Sequence, residues 1–258
     1  METEKHKHYL VTVIVPIYNV RNYITRCAVS LMSQTLADVE FIFVNDFTPD
    51  DSINILQSVL DQYPERKSDV TILTHTENKG LPSARNTGLQ HAKGKYIFHC
   101  DSDDYVESSM LEEMCGFAVE NNLDIVWADW YLSMSNSERY MSMPDFNSPE
   151  KAMKAMLSGG MKYNVWNKLV RTSLYTDNSI QFPSGYGMGE DLTMIKLFVF
   201  ADKVAHLPKA YYHYNKTNST AFSQSYSERH LCELQCQYAR ACGGQAAGCR
   251  AGDLQPGG

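Results

Sequence analysis

The sequence predicts an α/β fold in which a doubly wound, mostly parallel sheet carries helices on both of its faces. Four short runs of mostly apolar residues alternate with segments whose apolar residues recur at helical spacing. The first run, residues 11–15, is almost wholly β-branched, which is typical of a strand buried on both faces. Successive β-then-α units favour parallel strands joined by right-handed crossovers.

The elements of the first hundred residues follow from these runs and this periodicity. In chain order we predict a strand over 11–15 that Pro16 ends, a helix from Val20 to Leu31, a strand over 39–44, a helix over 50–62, a strand over 70–73, a helix from an N-cap at Ser83 to Lys93, and a strand over 96–99.

The second half is predicted in less detail. Met110, Met114 and Phe117 mark one face of a helix, and residues 124–130 form a further strand. Residues 133–147 lack a clear period and indicate a loop or an irregular hairpin. We also predict a helix that starts at Ser148-Pro149 and ends at Leu157, and another that begins at Glu190-Asp191 after the glycine-rich run 185–189.

Composition limits the class of function. The net charge of −7 and pI of about 5.6 do not suit a nucleic-acid surface, which needs clustered Lys and Arg. No apolar run approaches the roughly 20 residues that span a bilayer, and the polar start of the chain lacks a signal-peptide core. The seven cysteines form no CxxC pair and no zinc spacing. We therefore expect a reduced, cytoplasmic protein with a small or weakly charged partner.

Carboxylates follow two of the predicted strands where each strand ends. Three lie within residues 101–104, directly after the strand 96–99, and Asp46 follows the strand 39–44. The carboxyl ends of parallel strands meet at one edge of a sheet, so both acidic sites face a single ligand. Crowded carboxylates repel one another unless a cation lies among them, and their oxygens suit Mg²⁺ or Mn²⁺. The alternative is a solvated acidic turn before the next helix.

Four motifs together resemble those of the family 2 glycosyltransferases with the GT-A fold. They are residues 11–19 (VTVIVPIYN), 44–52 (VNDFTPDDS), 84–88 (ARNTG) and 101–104 (DSDD). Their order and spacing fit, and the resemblance covers residues 10–225. One departure lies at Asn45 to Pro49, where that family usually has Asp-Asp-Gly-Ser-Thr. Asp46 still matches the acid that contacts the nucleotide, whereas Phe47 replaces a glycine and is expected to reshape the loop.

The resemblance implies roles for particular residues. Those expected to bind the nucleotide are Pro16, Tyr18, Asn19, Asp46, Arg85 and Asp101. Those expected to bind a metal, Mn²⁺ or Mg²⁺, are Asp103, Asp101 and, as a further candidate, His213. The expected catalytic base is Asp191, with Glu190 as the alternative. Those expected on the acceptor side are Trp166 and Lys168. The segment 211–225 is expected to close over the diphosphate.

Several of these residues have an alternative structural role. Arg85 either contacts the diphosphate or pairs with a carboxylate of the acidic cluster, since its planar guanidinium suits both. Asp46 is alternatively an acidic cap of the next helix. Trp166 is alternatively a core side chain, and His213 is alternatively a structural histidine with satisfied hydrogen bonds. The two acids at 190 and 191 alternatively stabilise a helix N-terminus.

The chain is expected to divide into four parts. An extension spans 1–9, a nucleotide-binding half 10–105, and an acceptor and catalytic half 106–235. The composition of 236–258, rich in Gly, Ala, Arg and Cys, predicts a disordered or non-native tail.

The expected function is the metal-dependent, inverting transfer of a sugar from a nucleotide diphosphate donor, a UDP-sugar, to a hydroxyl of a saccharide or lipid-linked saccharide. Such a step belongs to polysaccharide biosynthesis and is compatible with peripheral contact at the inner face of a membrane. One alternative is a catalytically idle nucleotide-sugar-binding module. Another is a haloacid-dehalogenase-like phosphatase, which carries its Asp-x-Asp on the first strand rather than the fourth.

Overall fold

The structure, a computed structural model, describes residues 8–183 and 189–218. Its strands are β1 Val11–Ile17, β2 Val39–Asn45, β3 Val70–Thr74, β4 Tyr96–His99, β5 Tyr105–Val106, β6 Ile125–Met134, β7 Ser137–Met141, β8 Lys168–Arg171 and β9 Val204–Asn215. Its helices are α1 Ile24–Met32, α2 Ser52–Leu60, α3 Leu81–His91, α4 Met110–Glu120, α5 Pro149–Leu157, α6 Thr172–Asp177 and α7 Glu190–Phe200, with a 3₁₀ helix at Pro64–Asp69.

Within these residues the strands form one sheet in the order β3-β2-β1-β4-β8-β6-β9-β5, and β7 pairs with β6. Strands β1 to β4 are mutually parallel, β8 runs antiparallel between β4 and β6, and β9 is parallel to β6. The described strands that share one direction are β1, β2, β3, β4, β6 and β9, which confirms the predicted mostly parallel sheet. The strand order reverses between β1 and β4, and open α/β sheets bind ligands at the carboxyl edge of such a switch point.

Helices cover both faces of this sheet. Helix α3 packs on β1 and β2, where Ala84 contacts Ile42 and Val44. The alternate side chains of β2, Phe41 and Phe43, belong to the main core together with the buried face of α2. Because both faces of β2 are covered, its sequence is a nearly continuous apolar run.

Glycine at position 88 lets α3 approach β1 closely. A Cβ at Gly88 would lie 2.4 Å from the side chain of Ile14, a separation that real Cβ atoms do not adopt. This contact gives a physical reason for the glycine of the ARNTG motif. Arg85 lies one turn earlier on α3, where its guanidinium reaches Asp101 just after the end of β4.

Strand β1 continues through Pro16 instead of ending there, which corrects the predicted bound. Proline lacks the N–H that a strand interior needs, so it is tolerated where pairing is absent. The pairing of β1 with β4 stops at Ile14 and His99, whereas Pro16 still lies opposite Val44 of β2. Pro16 therefore lies beyond the end of the pairing between β1 and β4, where one side of β1 has no neighbouring strand among the described residues.

Helix α3 begins at Leu81, so the predicted N-cap at Ser83 is wrong. Gly80 precedes the helix with φ of +83°, and Pro82 occupies its first turn. The backbone N–H groups of Lys79 and Gly80 donate to Asp46. This carboxylate, which lies far away in the sequence, helps to set the start of the helix.

In the second half of the chain, two predictions are confirmed and β9 is an additional strand. The hairpin between β6 and β7 confirms the hairpin alternative for residues 133–147. The side chain of Ser148 caps α5 by accepting a hydrogen bond from the N–H of Lys151, as predicted. The last strand, β9, was not predicted as a strand, since Pro208 interrupts its sequence. The register slips between Leu207 and Ala210, so Pro208 lies at a bulge.

Some predictions fall outside the described residues: most of the extension 1–9, the glycines 185–187, the segment 219–225 and the tail 236–258. Strands from both predicted halves join in one sheet. The division of the chain at residue 105 into a nucleotide-binding half and an acceptor half stays a prediction. Over the ranges that the structure covers, the helices are too short or too polar to cross a bilayer.

Candidate active site

The predicted acids gather at the carboxyl edge of the sheet. Asp46 follows β2, the cluster 101–104 follows β4, and the N–H of Asp46 donates to the carbonyl of Ile17 at the end of β1. This edge contains the switch point between β1 and β4. The sheet order therefore brings together three chain segments that are far apart in sequence.

A buried guanidinium joins the acidic cluster to the acids of α7. Arg85 donates from one Nη to Asp101 at 2.9 Å and from the other to Glu190 at 2.6 Å. Its side chain is 1% exposed, whereas those of Asp101 and Glu190 are 25% and 28% exposed. Burial alone would lower the pKa of Arg85, but the charges of Glu190 and Asp101 outweigh it and raise that pKa. Arg85 therefore pairs with a carboxylate of the acidic cluster, which is one of its two predicted roles. Its contact with the diphosphate stays a prediction.

The acidic turn is braced by the strand that sequence reasoning missed. The hydroxyl of Tyr212 donates to Asp104 at 2.6 Å, and the same oxygen accepts the N–H of Asp101 at 3.0 Å. Asp104 also accepts the N–H of Asn215 at 2.7 Å. Burial and the charges of Asp103 and Asp101 hold the pKa of Asp104 well above its usual range. These bonds indicate that Asp104 stabilises the conformation of the acidic turn. In the sequence, only the run of tyrosines over 211–214 pointed to Tyr212.

Asp101 and Asp103 have the donor chemistry that suits a divalent cation. Burial raises the pKa of both carboxyls, and the charge of Asp103 raises that of Asp101 further, against the opposing effect of Arg85. A cation would relieve this excess of negative charge. Among the described residues no group of three or more His, Cys, Asp or Glu side chains is arranged to hold a metal. Two carboxylates with substrate phosphate oxygens are nevertheless the usual way in which proteins hold Mg²⁺.

His213, the further candidate ligand, already has partners at both ring nitrogens. They lie 2.7 Å from Glu138 and 2.8 Å from Glu107. The ring stacks between those of Tyr105 and Tyr131, at centroid distances of 4.2 and 4.8 Å. This environment matches the alternative of a structural histidine with satisfied hydrogen bonds, and the metal role stays a prediction.

Asp46 is buried and organises the loop before α3. It accepts the N–H groups of Lys79 and Gly80, each at 2.8 Å, and one of its oxygens lies 2.7 Å from Nδ1 of His75. The alternative of a cap for the next helix is wrong, because Asp50 accepts the N–H of Ser52 at the start of α2. Contact between Asp46 and the nucleotide stays a prediction.

The loops that follow β1 and β2 are tied to each other. The N–H of Asn19 donates to Thr48 Oγ1 at 2.8 Å, and that of Arg21 donates to Asp50 at 2.9 Å. Tyr18 and Phe47 project from these loops with 49% and 57% of their surface exposed. The predicted nucleotide-binding residues Tyr18 and Asn19 are thus held beside the loop that carries Asp46.

Glu190 and Asp191 occupy the first turn of α7, where the helix dipole favours carboxylates. Their environments differ. Glu190 accepts a charge-assisted hydrogen bond from Arg85 at 2.6 Å. Asp191 accepts the N–H of Leu192 at 2.8 Å. Burial of Tyr163 raises the pKa of its hydroxyl, and the charge of Asp191 raises that pKa further.

Trp166 and Lys168, predicted on the acceptor side, are both buried. Trp166 stacks on Tyr212 at a centroid distance of 4.5 Å. This contact agrees with the alternative that Trp166 is a core side chain. Lys168 Nζ donates to the carbonyls of Lys162 and Asn164 and to the side chain of Asn167. Their contact with an acceptor stays a prediction.

Lys168 gives a test of stability against pH. Burial lowers its pKa to about 7, although the charge of Glu190 opposes this shift. In the unfolded chain the Lys168 ammonium keeps its proton up to about pH 10. The unfolded chain therefore binds more protons than the folded protein between pH 7 and 10. The free energy of unfolding should therefore rise across this window, by about 4 kcal/mol at most, relative to Lys168→Met. Urea unfolding at pH 6, 7, 8 and 9 measures the difference; parallel profiles for the two proteins would show that Lys168 does not titrate there.

A cavity of about 580 Å³ opens beside Asp103. Its lining includes Arg26, Tyr105, Glu138 and Asn215, and the guanidinium of Arg26 lies 3.2 Å from the ring centroid of Tyr105. Hydroxyl, amide, aromatic and charged groups therefore surround this space. Such a lining suits a polar ligand rich in hydrogen-bonding groups.

Comparison with known proteins gives one family and a set of relatives. The sequence pattern of glycosyl transferase family 2 matches residues 12–187. The glycosyltransferase EpsJ of Bacillus subtilis (strain 168), which has not been characterised, is 34% identical over 238 residues. That match covers 89% of this chain and 67% of EpsJ, so the chain spans about two thirds of that relative.

Two solved structures resemble the fold. A crystal structure of S. aureus TarS 1–349 in complex with UDP-GlcNAc aligns with a TM-score of 0.73 at 24% identity, over 89% of this chain and 65% of that one. The mannosyltransferase PcManGT from Pyrobaculum calidifontis, in complex with GDP-Man and Mn²⁺, aligns with a TM-score of 0.65 at 17% identity, over 93% of this chain and 66% of that one. These likenesses confirm the predicted GT-A fold.

Proposed function

Because the chain belongs to glycosyl transferase family 2, we propose that it moves a sugar from a nucleotide diphosphate donor, a UDP-sugar, to an acceptor hydroxyl with inversion. One observation carries this proposal. Arg85 joins Asp101 of the strand-end acidic cluster to Glu190 beside the expected base, and it does so at the switch point of the sheet. The TarS complex with UDP-GlcNAc supports the choice of a UDP-sugar.

In this proposal the donor lies along the carboxyl edge of the sheet. The base contacts the loops that carry Tyr18, Asn19 and Asp46, and the ribose and diphosphate lie against Asp101 and Asp103. The polar cavity beside Asp103 gives room for the groups that follow the diphosphate. Arg85 holds Asp101 and Glu190 in fixed positions, so the edge is organised before the donor arrives.

A divalent cation held by Asp103 and Asp101 would neutralise charge that develops on the leaving diphosphate. The Mn²⁺ in the PcManGT complex supports this part of the proposal. Burial raises the pKa of the carboxyls of Asp101 and Asp103, so it favours the protonated form of both. The cation and the protons therefore compete for the same carboxylates.

Asp191 acts as the general base in this proposal. The acceptor oxygen attacks the anomeric carbon, its proton passes to the Asp191 carboxylate, and the bond from the anomeric carbon to the diphosphate oxygen breaks. Glu190 is assigned a positioning role instead, because the buried guanidinium of Arg85 forms an ion pair with its carboxylate. Direct displacement of this kind inverts the anomeric centre.

The acceptor is proposed to be a saccharide or a lipid-linked saccharide. Such acceptors place the enzyme in polysaccharide biosynthesis, and the cytoplasmic location and peripheral membrane contact expected from the sequence stay predictions. The phosphatase alternative is not supported, since Asp101 follows the fourth strand and the family pattern matches. The idle binding module differs from the proposal only in turnover.

The metal role is tested by thermal unfolding with UDP in the presence of Mn²⁺ or EDTA. A ligand at 100 times its Kd stabilises the folded protein by about 2.7 kcal/mol, so UDP should raise the melting temperature clearly with Mn²⁺ and only weakly with EDTA. Asp103→Asn should abolish this difference. Asp61→Asn, which changes an exposed acid at the end of α2, is the matched control and should keep it. Equal stabilisation by UDP in EDTA would remove the metal from the proposal.

A further inference from the structure

Phe47 adopts a backbone conformation that disfavours its own side chain. Its φ is +55°, in the left-handed region that glycine adopts freely and bulky residues rarely enter. The residue is 57% exposed, and it belongs to neither hydrophobic cluster of the described residues. The ring thus adds backbone strain and exposed apolar surface without a gain in core packing.

The surrounding loop imposes this conformation. The side chain of Asn45 accepts the N–H of Thr48 at 2.9 Å, and Thr48 Oγ1 in turn donates to Asp50 at 2.7 Å. The same hydroxyl accepts the N–H of Asn19, which ties the loop to the end of β1. These bonds use backbone groups and polar side chains only. They would hold a glycine at position 47 as well, so the loop does not explain the presence of an aromatic ring.

The position of the ring suggests what it contacts. Phe47 directly follows Asp46, and the N–H of Asp46 donates to the carbonyl of Ile17, so the ends of β1 and β2 lie side by side. Tyr18, the next residue after Ile17, is 49% exposed. Two exposed aromatic residues therefore follow the adjoining ends of β1 and β2, next to the buried Asp46, at the carboxyl edge where the donor is proposed to bind. Strained non-glycine residues concentrate at ligand sites, where the surrounding structure over-determines them.

We propose that the ring of Phe47 stacks on the nucleobase of the donor and so contributes to recognition of the base. This inference rests on the proposed function, because it takes the donor to be a nucleotide. A planar base buries its apolar face against an aromatic side chain, and such stacking contributes to affinity for any base. The ring is then a binding group that this chain has in place of a glycine.

The test compares two ligands that share a diphosphate but differ in the base. UDP and inorganic pyrophosphate are titrated calorimetrically in Mn²⁺ into the wild type and three variants of Phe47. Phe47→Ala should weaken UDP binding about tenfold or more, the scale of losing one base stack, and leave pyrophosphate binding unchanged. Phe47→Trp should keep UDP affinity. Phe200→Ala removes another exposed ring, at the end of α7, and should change neither affinity.

Phe47→Gly separates binding from stability. It removes the strain together with the ring, so the melting temperature should rise while UDP affinity falls. A merely structural role for the ring would lower both. Equal UDP affinity in the wild type, Phe47→Ala and Phe47→Gly would overturn the inference and leave the proposed function intact. Failure of the wild type to bind any nucleoside diphosphate would overturn both.

Discussion

Replacing Asp191 by Asn should lower turnover by about 10²-fold or more while UDP and Mn²⁺ still bind, because a sugar hydroxyl needs a base to take its proton during attack. Asparagine keeps the size and the hydrogen-bonding shape of the side chain but cannot accept that proton. Asp191 lies in the first turn of α7, and the rigid packing of α7 residues such as Met194 and Leu197 in the core fixes its position. The measurement is steady-state turnover of a UDP-sugar, with UDP affinity measured on the same preparation.

Glu190→Gln is the informative companion variant. It keeps an acceptor for Arg85 but removes one negative charge from the ion-pair network. We expect a smaller loss of turnover than in Asp191→Asn. Wild-type turnover in Asp191→Asn, with Glu190→Gln inactive, would move the base to Glu190.

The second large effect is expected at Arg85. Arg85→Met removes the cation between Asp101 and Glu190, and breaking a buried pair by removing one partner costs about 3 kcal/mol. UDP affinity in Mn²⁺ and turnover should fall together, since both acids lose their fixed positions. The loss of stability should be smaller at pH 5 than at pH 8. Burial already raises the pKa of Asp101, and without the opposing charge of Arg85 that pKa rises further, so protonation of Asp101 at low pH relieves the repulsion.

Arg171→Met is the matched control for this variant. Arg171 donates to Asp124 at 2.8 Å, with both side chains mostly buried, at the opposite edge of the sheet. It should lose stability and yet keep UDP affinity. Arg85→Lys should recover little, because a single ammonium lacks the fork that reaches both carboxylates. Full UDP affinity in Arg85→Met would show that the bridge does not organise the site.

The sequence predicted those features that depend on neighbouring residues. Apolar runs and turn residues indicated the first four strands, and their carboxyl ends placed Asp46 and Asp101 at one edge. Strand β9 escaped prediction because its bulge at Pro208 hides the strand period. The start of α3 was misplaced because a distant carboxylate, Asp46, receives the N–H groups before it.

The contacts within the site depend on the folded sheet. Arg85 and Glu190 are 105 residues apart, and two roles for the guanidinium were open in the sequence. The resemblance placed Trp166 and Lys168 on the acceptor side, but a resemblance in sequence does not reveal which side chains are buried. The left-handed backbone of Phe47 follows from loop hydrogen bonds that join two strand ends. Long-range pairing of this kind is fixed by topology rather than by local spacing.

The most direct test of the whole account is the release of UDP from a panel of UDP-sugars, assayed in Mn²⁺ with saccharide and lipid-linked saccharide acceptors. The account predicts that the wild type consumes at least one UDP-sugar, and that Asp191→Asn binds the same donor but fails to consume it. Binding of UDP-sugars without any turnover by the wild type would contradict the account and favour an idle nucleotide-sugar-binding module.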